Sequence, residues 1–414
     1  MSGGRARVAG VMVVRDEWPL LAVTVTNLLV HHVDRLTVYD HASTDGTMDG
    51  LLRLQRHWGD RLVVRQLGDV PFLQAAIVTT ALVEIAFEPF DWVYVCDADE
   101  IALVRERPLA EVLAALPAHV GLVRYEVENW IAPHRFDTVR VDDLTSVTAR
   151  ACVDPSLAAS ADQVGDRVAR GEVNYFSVPF ASKVIVRNGR SVWLAPGAHF
   201  ADDAMAPDEA SLTRDDFVVA HLPLLSVDRL ARRADQSLAL RDAGLDGTHG
   251  WQSHAVADVA RAGSLRGFWD AHSIHEDGTG PAHVVDEELA RTIEVALKVV
   301  AASPGLLDPP IEPVVAPVAV VTTSRAIVSL HELQRSLRAQ IHAREEQLDA
   351  KSAEIAWLRS VVEDLERFRA TADEVRAAEL RELDAVRDER DRMLASQTWR
   401  WGRRLRRLAR LGRR

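Results

Sequence analysis

With only two cysteines, Cys96 and Cys152, in 414 residues, the sequence has no disulfide framework. Neither belongs to a CxxC pair, which leads us to expect a reducing, cytoplasmic setting. Cys96 lies in an apolar run and reads as a small buried hydrophobe, not as a nucleophile. Long apolar runs are missing as well: no window reaches the ~18 uninterrupted apolar residues that a membrane span needs. The stretch from Met1 to Arg7 lacks the apolar centre of a signal peptide. A soluble chain is expected, or one that rests on a membrane surface. Excess positive charge is absent too. The formal net charge is −12, which excludes a whole-chain nucleic-acid binder, because neutralising phosphates requires surplus Lys and Arg. Beyond Asp391 it is acid that is lacking, and the last fifteen residues carry eight arginines.

What is present falls into zones. Residues 1–302 alternate short Val/Ile/Leu runs with helix-period segments, the pattern of a globular α/β domain. Residues 303–324 hold five prolines and read as a semi-rigid linker. Residues 325–396 are almost free of Gly and Pro and carry Leu330, Leu333, Leu337, Ile341, Leu348, Ile355, Leu358, Val362 and Leu365 at helical spacing. Leu380, Leu383 and Val386 follow, with Arg344 and Thr371 interrupting the seam. A lone helix would expose that stripe, so a coiled coil and a homo-oligomer are expected; the plainer alternative is a helix folded back on the first domain. Residues 397–414 set Trp399, Trp401, Leu405, Leu408 and Leu411 among arginines, which suits an amphipathic helix on an anionic membrane surface.

Within the first zone, strands are expected over Val8 to Val14, Arg35 to Tyr39, Leu62 to Gln66 and Trp92 to Cys96, with helices over Trp18 to His32 and Phe72 to Phe87. Strand–helix–strand alternation implies a parallel sheet whose ligand site lies at the carboxyl ends of its strands, where Asp40 and Asp97 fall. The segment Asp91-Trp-Val-Tyr-Val-Cys-Asp-Ala-Asp-Glu100 delivers Asp97 and Asp99 together to one strand end. Clustered carboxylates repel and lose solvation; a divalent cation resolves both problems, and oxygen ligands suit Mn²⁺ or Mg²⁺. Taken singly, DxD is also ordinary turn chemistry, and Ser43-Thr-Asp-Gly46 is a common turn. Two acidic strand ends on one sheet are a rarer coincidence.

Val14-Arg-Asp-Glu17, Tyr39-Asp-His-Ala-Ser-Thr-Asp-Gly-Thr47 and Trp92-Val-Tyr-Val-Cys-Asp-Ala-Asp-Glu-Ile101 resemble the successive signatures of glycosyltransferase family 2-like proteins. The likeness spans about residues 8 to 300 and is most specific in the first 105. It implies a GT-A, Rossmann-like nucleotide-diphospho-sugar transferase domain. It also implies that Asp40 touches the nucleotide base, that Glu17 lines the nucleotide pocket, and that Asp97 and Asp99 hold metal, diphosphate and ribose. Two departures stand out: His41 where the family has Asn, and Arg15-Asp16 where it has Lys-Asn. Downstream, Ser182-Lys-Val-Ile-Val-Arg187, Ala198-His-Phe-Ala-Asp-Asp203 and Ala220-His-Leu-Pro223 resemble the same branch. By that likeness His199 or His221 could complete the metal shell and Lys183 could meet a diphosphate oxygen; each is equally at home as a hydrogen-bonded or paired structural residue.

The reaction so implied is metal-dependent, inverting sugar transfer from a nucleotide donor to a cell-surface polysaccharide or glycolipid acceptor, on the inner face of the membrane. An inverting transfer needs a general base. Asp203 follows the family order; Glu128 is nearly as well placed, beside Trp130; Glu126 and Asp202 are further candidates. Two rivals remain: a degenerate GT-A scaffold that assembles through its coiled coil, and a haloacid dehalogenase-type phosphohydrolase. The latter wants Thr or Val after DxDx, where this chain has Glu100-Ile101.

Overall fold

The computed structural model describes residues 5–67, 74–189, 193–194, 201–202, 208–242, 250–303, 376–378, 380–396 and 402–403. The chain divides into two compact units, Met1–Glu332 and Leu333–Arg414.

The first unit opens with β1 (Val8–Val14), α1 (Leu20–Asn27), β2 (Arg35–Asp40), α2 (Thr47–Trp58), β3 (Leu62–Gln66), α3 (Gln74–Ile85) and β4 (Trp92–Cys96). Every residue of β1 is buried, as a continuous Val/Met run flanked on both faces by apolar layers should be. It pairs in parallel with β2 on one side and β4 on the other, and β2 pairs in parallel with β3. Gly10 packs closely there: a Cβ would stand 2.7 Å from Leu36 Cδ1 on the neighbouring strand and force that side chain to shift.

The chain continues through β5 (Glu100–Ala102), α4 (Leu109–Ala114), β6 (Val120–Ile131), β7 (Ala149–Ala151), α5 (Ala161–Ala169), β8 (Lys183–Arg187), β9 (Trp193–Leu194), β10 (Ala201–Asp202), β11 (Asp208–Ser211) and β12 (Val218–His221). It closes with α6 (Val227–Asp242), α7 (Trp251–Arg261), α8 (Leu265–Ala271), β13 (His283–Val285) and α9 (Glu288–Ala301). The main sheet runs β13-β7-β6-β8-β4-β1-β2-β3, with β11, β12 and β5 joined off this path. The parallel half is the Rossmann-like arrangement expected of a GT-A domain. Its continuation is mixed: β8 is antiparallel to both β4 and β6 and lies between them.

Two details differ from the sequence pattern. The helix expected from Trp18 begins at Leu20, one residue past Pro19, and its last turn, Leu28–His32, widens to π spacing, with the Val33 N–H bonded to Leu28 O. Strand β2 extends one residue further, to Asp40. All eight residues of α1 are buried, which requires protein on every side of the helix; it packs on β5 and α9 as well as beneath the sheet.

In the second unit, residues 376–378 and 380–395 are helical, and Leu380, Leu383 and Val386 are exposed on that helix. The rest of the expected coiled coil, the proline-rich linker from residue 304 and the tail other than residues 402–403 lie outside the described residues. Among the described residues, no helix is long and apolar enough to cross a membrane.

His32 closes the first helical segment, with Nε2 3.2 Å from Ala102 O and its ring edge-on to Phe217. Burial, with His31 adding to it, pushes its pKa down to about 3. Such a depressed value leaves stability intact above the ordinary histidine value of 6.5 and erodes it as the pH falls toward about 3. At pH 5 the loss should be about 2 kcal/mol. In His32→Gln the drop in melting temperature between pH 7 and pH 5 should shrink accordingly, as measured by calorimetry.

Candidate active site

The acidic turn after β4 is fixed from three directions. From α1, Thr24 Oγ1 donates to Ala98 O at 2.7 Å and Asn27 Nδ2 donates to Ala102 O at 2.7 Å. From β12, the Leu222 N–H donates to Asp99 O at 2.9 Å, and antiparallel pairing sets His221 opposite Glu100. From β8, the antiparallel register carries Lys183 beneath the end of β4. Buried hydroxyl and amide groups need partners, so α1 is bound to the turn by chemistry as well as by packing.

The two carboxylates of the DxD string have separate partners. Asp97 accepts from Lys183 Nζ at 2.6 Å and from Gln74 Nε2 at 2.7 Å. Lys183 also lies 2.5 Å from Glu100 Oε1, and both Lys183 and Glu100 are fully buried. Burial, opposed by Lys183 and reinforced by Asp97, pushes the Glu100 carboxyl up to about 8. Burial alone would lower the Lys183 pKa; Asp97 and Glu100 raise it instead, so the lysine stays charged. The ammonium thus lies between the side chains of Asp97 and Glu100, the latter mostly protonated at pH 7.

Asp99 faces the other way. Its Oδ2 accepts from Arg229 Nη2 at 3.0 Å and from Arg233 Nη1 at 3.2 Å, and His221 Nε2 stands 3.6 Å off. Burial opposes the charge on Asp99, but Arg229, His221 and Arg233 together hold its carboxyl well below the usual range. Arg229 is the most constrained of these groups. It forks onto Glu17 at 2.9 and 3.0 Å and bonds the carbonyls of Leu222 and Pro223 as well. Glu17 sits just after β1, with its N–H on Thr47 Oγ1 at 2.9 Å. Burial raises the Glu17 pKa against the opposing pull of Arg229.

His221 Nδ1 is 2.8 Å from Asn129 Oδ1, the register partner delivered by the parallel β6–β12 pairing. Burial lowers the His221 pKa despite Asp99, which makes the ring neutral at pH 7. Nδ1 faces Asn129 Oδ1, and Nε2 faces the Asp99 carboxylate. An imidazole nitrogen set against a carboxylate, with the ring oriented by a second residue, fits a divalent cation. Mn²⁺ and Mg²⁺ are commonly held by one or two protein ligands plus substrate phosphates, which suits Asp99 and His221. Asp97, the other acid expected at the metal, faces Lys183 and Gln74; among the described residues, no three His, Cys, Asp or Glu side chains gather as a metal cluster.

At the end of β2, Asp40 is wholly buried; Ser43 N–H reaches its Oδ2 at 3.3 Å, whereas its buried Oδ1 makes no hydrogen bond among the described residues. Burial raises its pKa against the bonds from Ser43. Asp16, in the left-handed region at φ 56°, accepts from Thr44 N–H at 2.6 Å and from Gln236 Nε2 at 3.4 Å, linking the loops after β1 and β2 to α6. The two departures from the family pattern meet: Arg15 Nη1 lies 3.4 Å from His41 Nδ1.

No protein-family model matches the sequence, and no curated protein matches it. Solved structures do. One is S. aureus TarS 1–349, at 11% identity over 61% of this chain and 70% of that one, with a TM-score of 0.33. Full-length TarS is spanned over 42% of its length. The mannosyltransferase PcManGT from Pyrobaculum calidifontis, in complex with GDP-Man and Mn²⁺, matches at 16% identity over 81% of this chain and 83% of that one, with a TM-score of 0.31. GalNAc-T7 with UDP, GalNAc and Mn²⁺ matches at 9% identity over 73% and 58%, with a TM-score of 0.34. Identities and scores this low transfer no activity to this chain, whose site has to be read from its own geometry.

Of the residues singled out in the sequence, the structure brings Glu17, Asp99 and His221 together around Arg229 and Arg233, and Asp97 and Lys183 together with Glu100. Asp40 stands at the neighbouring strand end. Glu128 follows the strand alternation to the face of β6 opposite Asn129, where Arg214 forks onto it at 2.8 and 3.2 Å and Arg150 lies at 3.5 Å. Glu126 is exposed on that same strand. His199 and Asp203 lie outside the described residues, and Asp202 ends β10. Sequence reading missed Arg229, Arg233, Asn129 and the Asp16 clamp. Arg229 and Arg233 share one helix face at i, i+4, yet α6 has two further arginines, and the partner carboxylates lie 130 and 212 positions away.

Removing the shared ammonium tests the buried triad. Lys183→Met leaves Asp97 and Glu100 without their buried cation and should destabilise the fold by about 3–5 kcal/mol. Adding Glu100→Gln should recover part of that loss. A double-mutant cycle by denaturant unfolding reads both effects.

Proposed function

We propose that this chain is a metal-dependent glycosyltransferase that moves a sugar from a nucleoside-diphosphate donor to an acceptor hydroxyl. The observation that carries the proposal is the Asp99–His221 pair, an imidazole nitrogen set against a carboxylate at the carboxyl end of a Rossmann-like sheet, with the ring oriented by Asn129. Asp99 and His221 would hold Mn²⁺ or Mg²⁺, leaving coordination positions for diphosphate oxygens. When bound, the cation offsets the charge that develops on the leaving diphosphate.

The remaining roles follow from position. Asp40 presents one buried, unbonded carboxylate oxygen, suited to an N–H on a nucleobase edge. Glu17 and Asp16 do not reach out to a ligand. Glu17 holds Arg229 in place, and Asp16 ties two ligand-facing loops to α6. Asp97, anchored by Lys183, keeps about a quarter of its side chain exposed and is placed to accept a ribose hydroxyl. In the inverting course we favour, the acceptor oxygen attacks the anomeric carbon, the bond to the diphosphate oxygen breaks, and the hydroxyl proton passes to a carboxylate. Asp203 is our choice for that base over Glu128, whose carboxylate is engaged by two guanidiniums. A polysaccharide or glycolipid acceptor, pairing through residues 325–396 and contact of the arginine-rich tail with the inner membrane face complete the reading.

UDP or GDP with Mn²⁺ at saturating concentration should raise the melting temperature by roughly 5 °C or more. The shift should vanish in Asp99→Asn and fall sharply without metal, as read by a thermal-shift assay. No shift with any nucleotide would instead favour a scaffold, and release of phosphate from simple phosphoesters would favour a hydrolase.

A further inference from the structure

Arg233 is only half used. Both of its hydrogen bonds leave from one nitrogen, Nη1, to Asp99 Oδ2 at 3.2 Å and to Pro223 O at 2.7 Å. Among the described residues, its Nη2 and Nε make no hydrogen bond, and a third of its side chain is exposed. Arg229, one turn earlier, is the opposite case: buried, forked onto Glu17, bonded to Asp99 and to two carbonyls. Arg229 belongs to the frame. Arg233 holds its place by two bonds that a competing cation can replace.

Asp99 Oδ2 already accepts from two guanidiniums, and a divalent cation placed between Asp99 and His221 would stand next to both of them. Like charges that close repel strongly in a buried site. The weaker-held arginine is the one such a cation would displace. A guanidinium released there has a fork of donors matched to phosphate oxygens, close to the point where a cation-bound diphosphate would lie.

We propose that Arg233 is a two-position residue, neutralising Asp99 in the metal-free site and turning onto the donor's diphosphate when a divalent cation takes its place. This rests on the glycosyltransferase reading and adds a group that would touch the leaving diphosphate. Cation entry and diphosphate capture are thereby coupled through one side chain, and the freed guanidinium would meet charge that grows as the glycosidic bond breaks.

The experiment uses the full chain, with Mn²⁺ alone and with UDP or GDP plus Mn²⁺, followed by titration calorimetry; Mn²⁺ binding is checked independently by electron paramagnetic resonance. In Arg233→Gln, Mn²⁺ alone should bind several-fold more tightly, because its competitor is gone. Diphosphate affinity in saturating Mn²⁺ should weaken roughly tenfold or more, the loss expected for a charged hydrogen bond. Arg233→Lys should fall between, and Arg232→Gln, a neighbour paired with Asp228, should change neither. Opposite signs for metal and nucleotide are what a merely structural arginine would not give. Weakening of both together, or no change in either, would overturn the role of Arg233 while leaving the enzyme reading intact. Wild-type protein that binds no nucleotide in Mn²⁺ would overturn both.

Discussion

Arg229 is the fixed cation around which the site is assembled. Its guanidinium joins Glu17, from the loop after β1, to Asp99, from the turn after β4, and its other donors bond the carbonyls of Leu222 and Pro223 just past β12. Three segments far apart in sequence are thereby registered on one planar group. A buried guanidinium with every donor satisfied is costly to disturb, because each abandoned partner is a charge or a polar atom away from water. The loops at the carboxyl ends of the sheet inherit their geometry from that fork.

A division of labour between two neighbouring carboxylates follows. Asp97 and Asp99 stand two residues apart, and the tight turn sends them to different cations, Lys183 below and the arginines of α6 above. Each acid thereby has its own cationic partners, without sharing one counter-charge. Among the described residues an imidazole stands beside Asp99 and not beside Asp97, so the two acids of the DxD string are not equivalent in what they can bind.

Much of the architecture was legible in the sequence because it depends on local pattern. The strands over Val8–Val14, Leu62–Gln66 and Trp92–Cys96 begin and end as the apolar runs indicate, and strand–helix alternation implied their parallel pairing. Asp97, Asp99 and Asp40 stood out as acids closing apolar strands. What stayed hidden was long-range chemistry. Nothing local to Arg229 distinguishes it from Arg232, which pairs with Asp228 on the helix surface. The antiparallel entry of β8 between β4 and β6 decides that Lys183 lies under the acids, and hydrophobic periodicity does not encode which strands will be neighbours. Glu128 shows the converse limit: a promising acid beside Trp130 is turned to the far face by the two-residue period of its own strand.

Helix α1 illustrates how far the site extends. It holds no charged residue, yet its Thr24 and Asn27 hold the backbone of the acidic turn at Ala98 and Ala102. A survey of substitutions scored only by function would therefore flag this apolar helix alongside the carboxylates. Its apparent mutational sensitivity would trace to two side chains that steady a loop from behind, a form of indirect constraint that surface maps of the site would overlook.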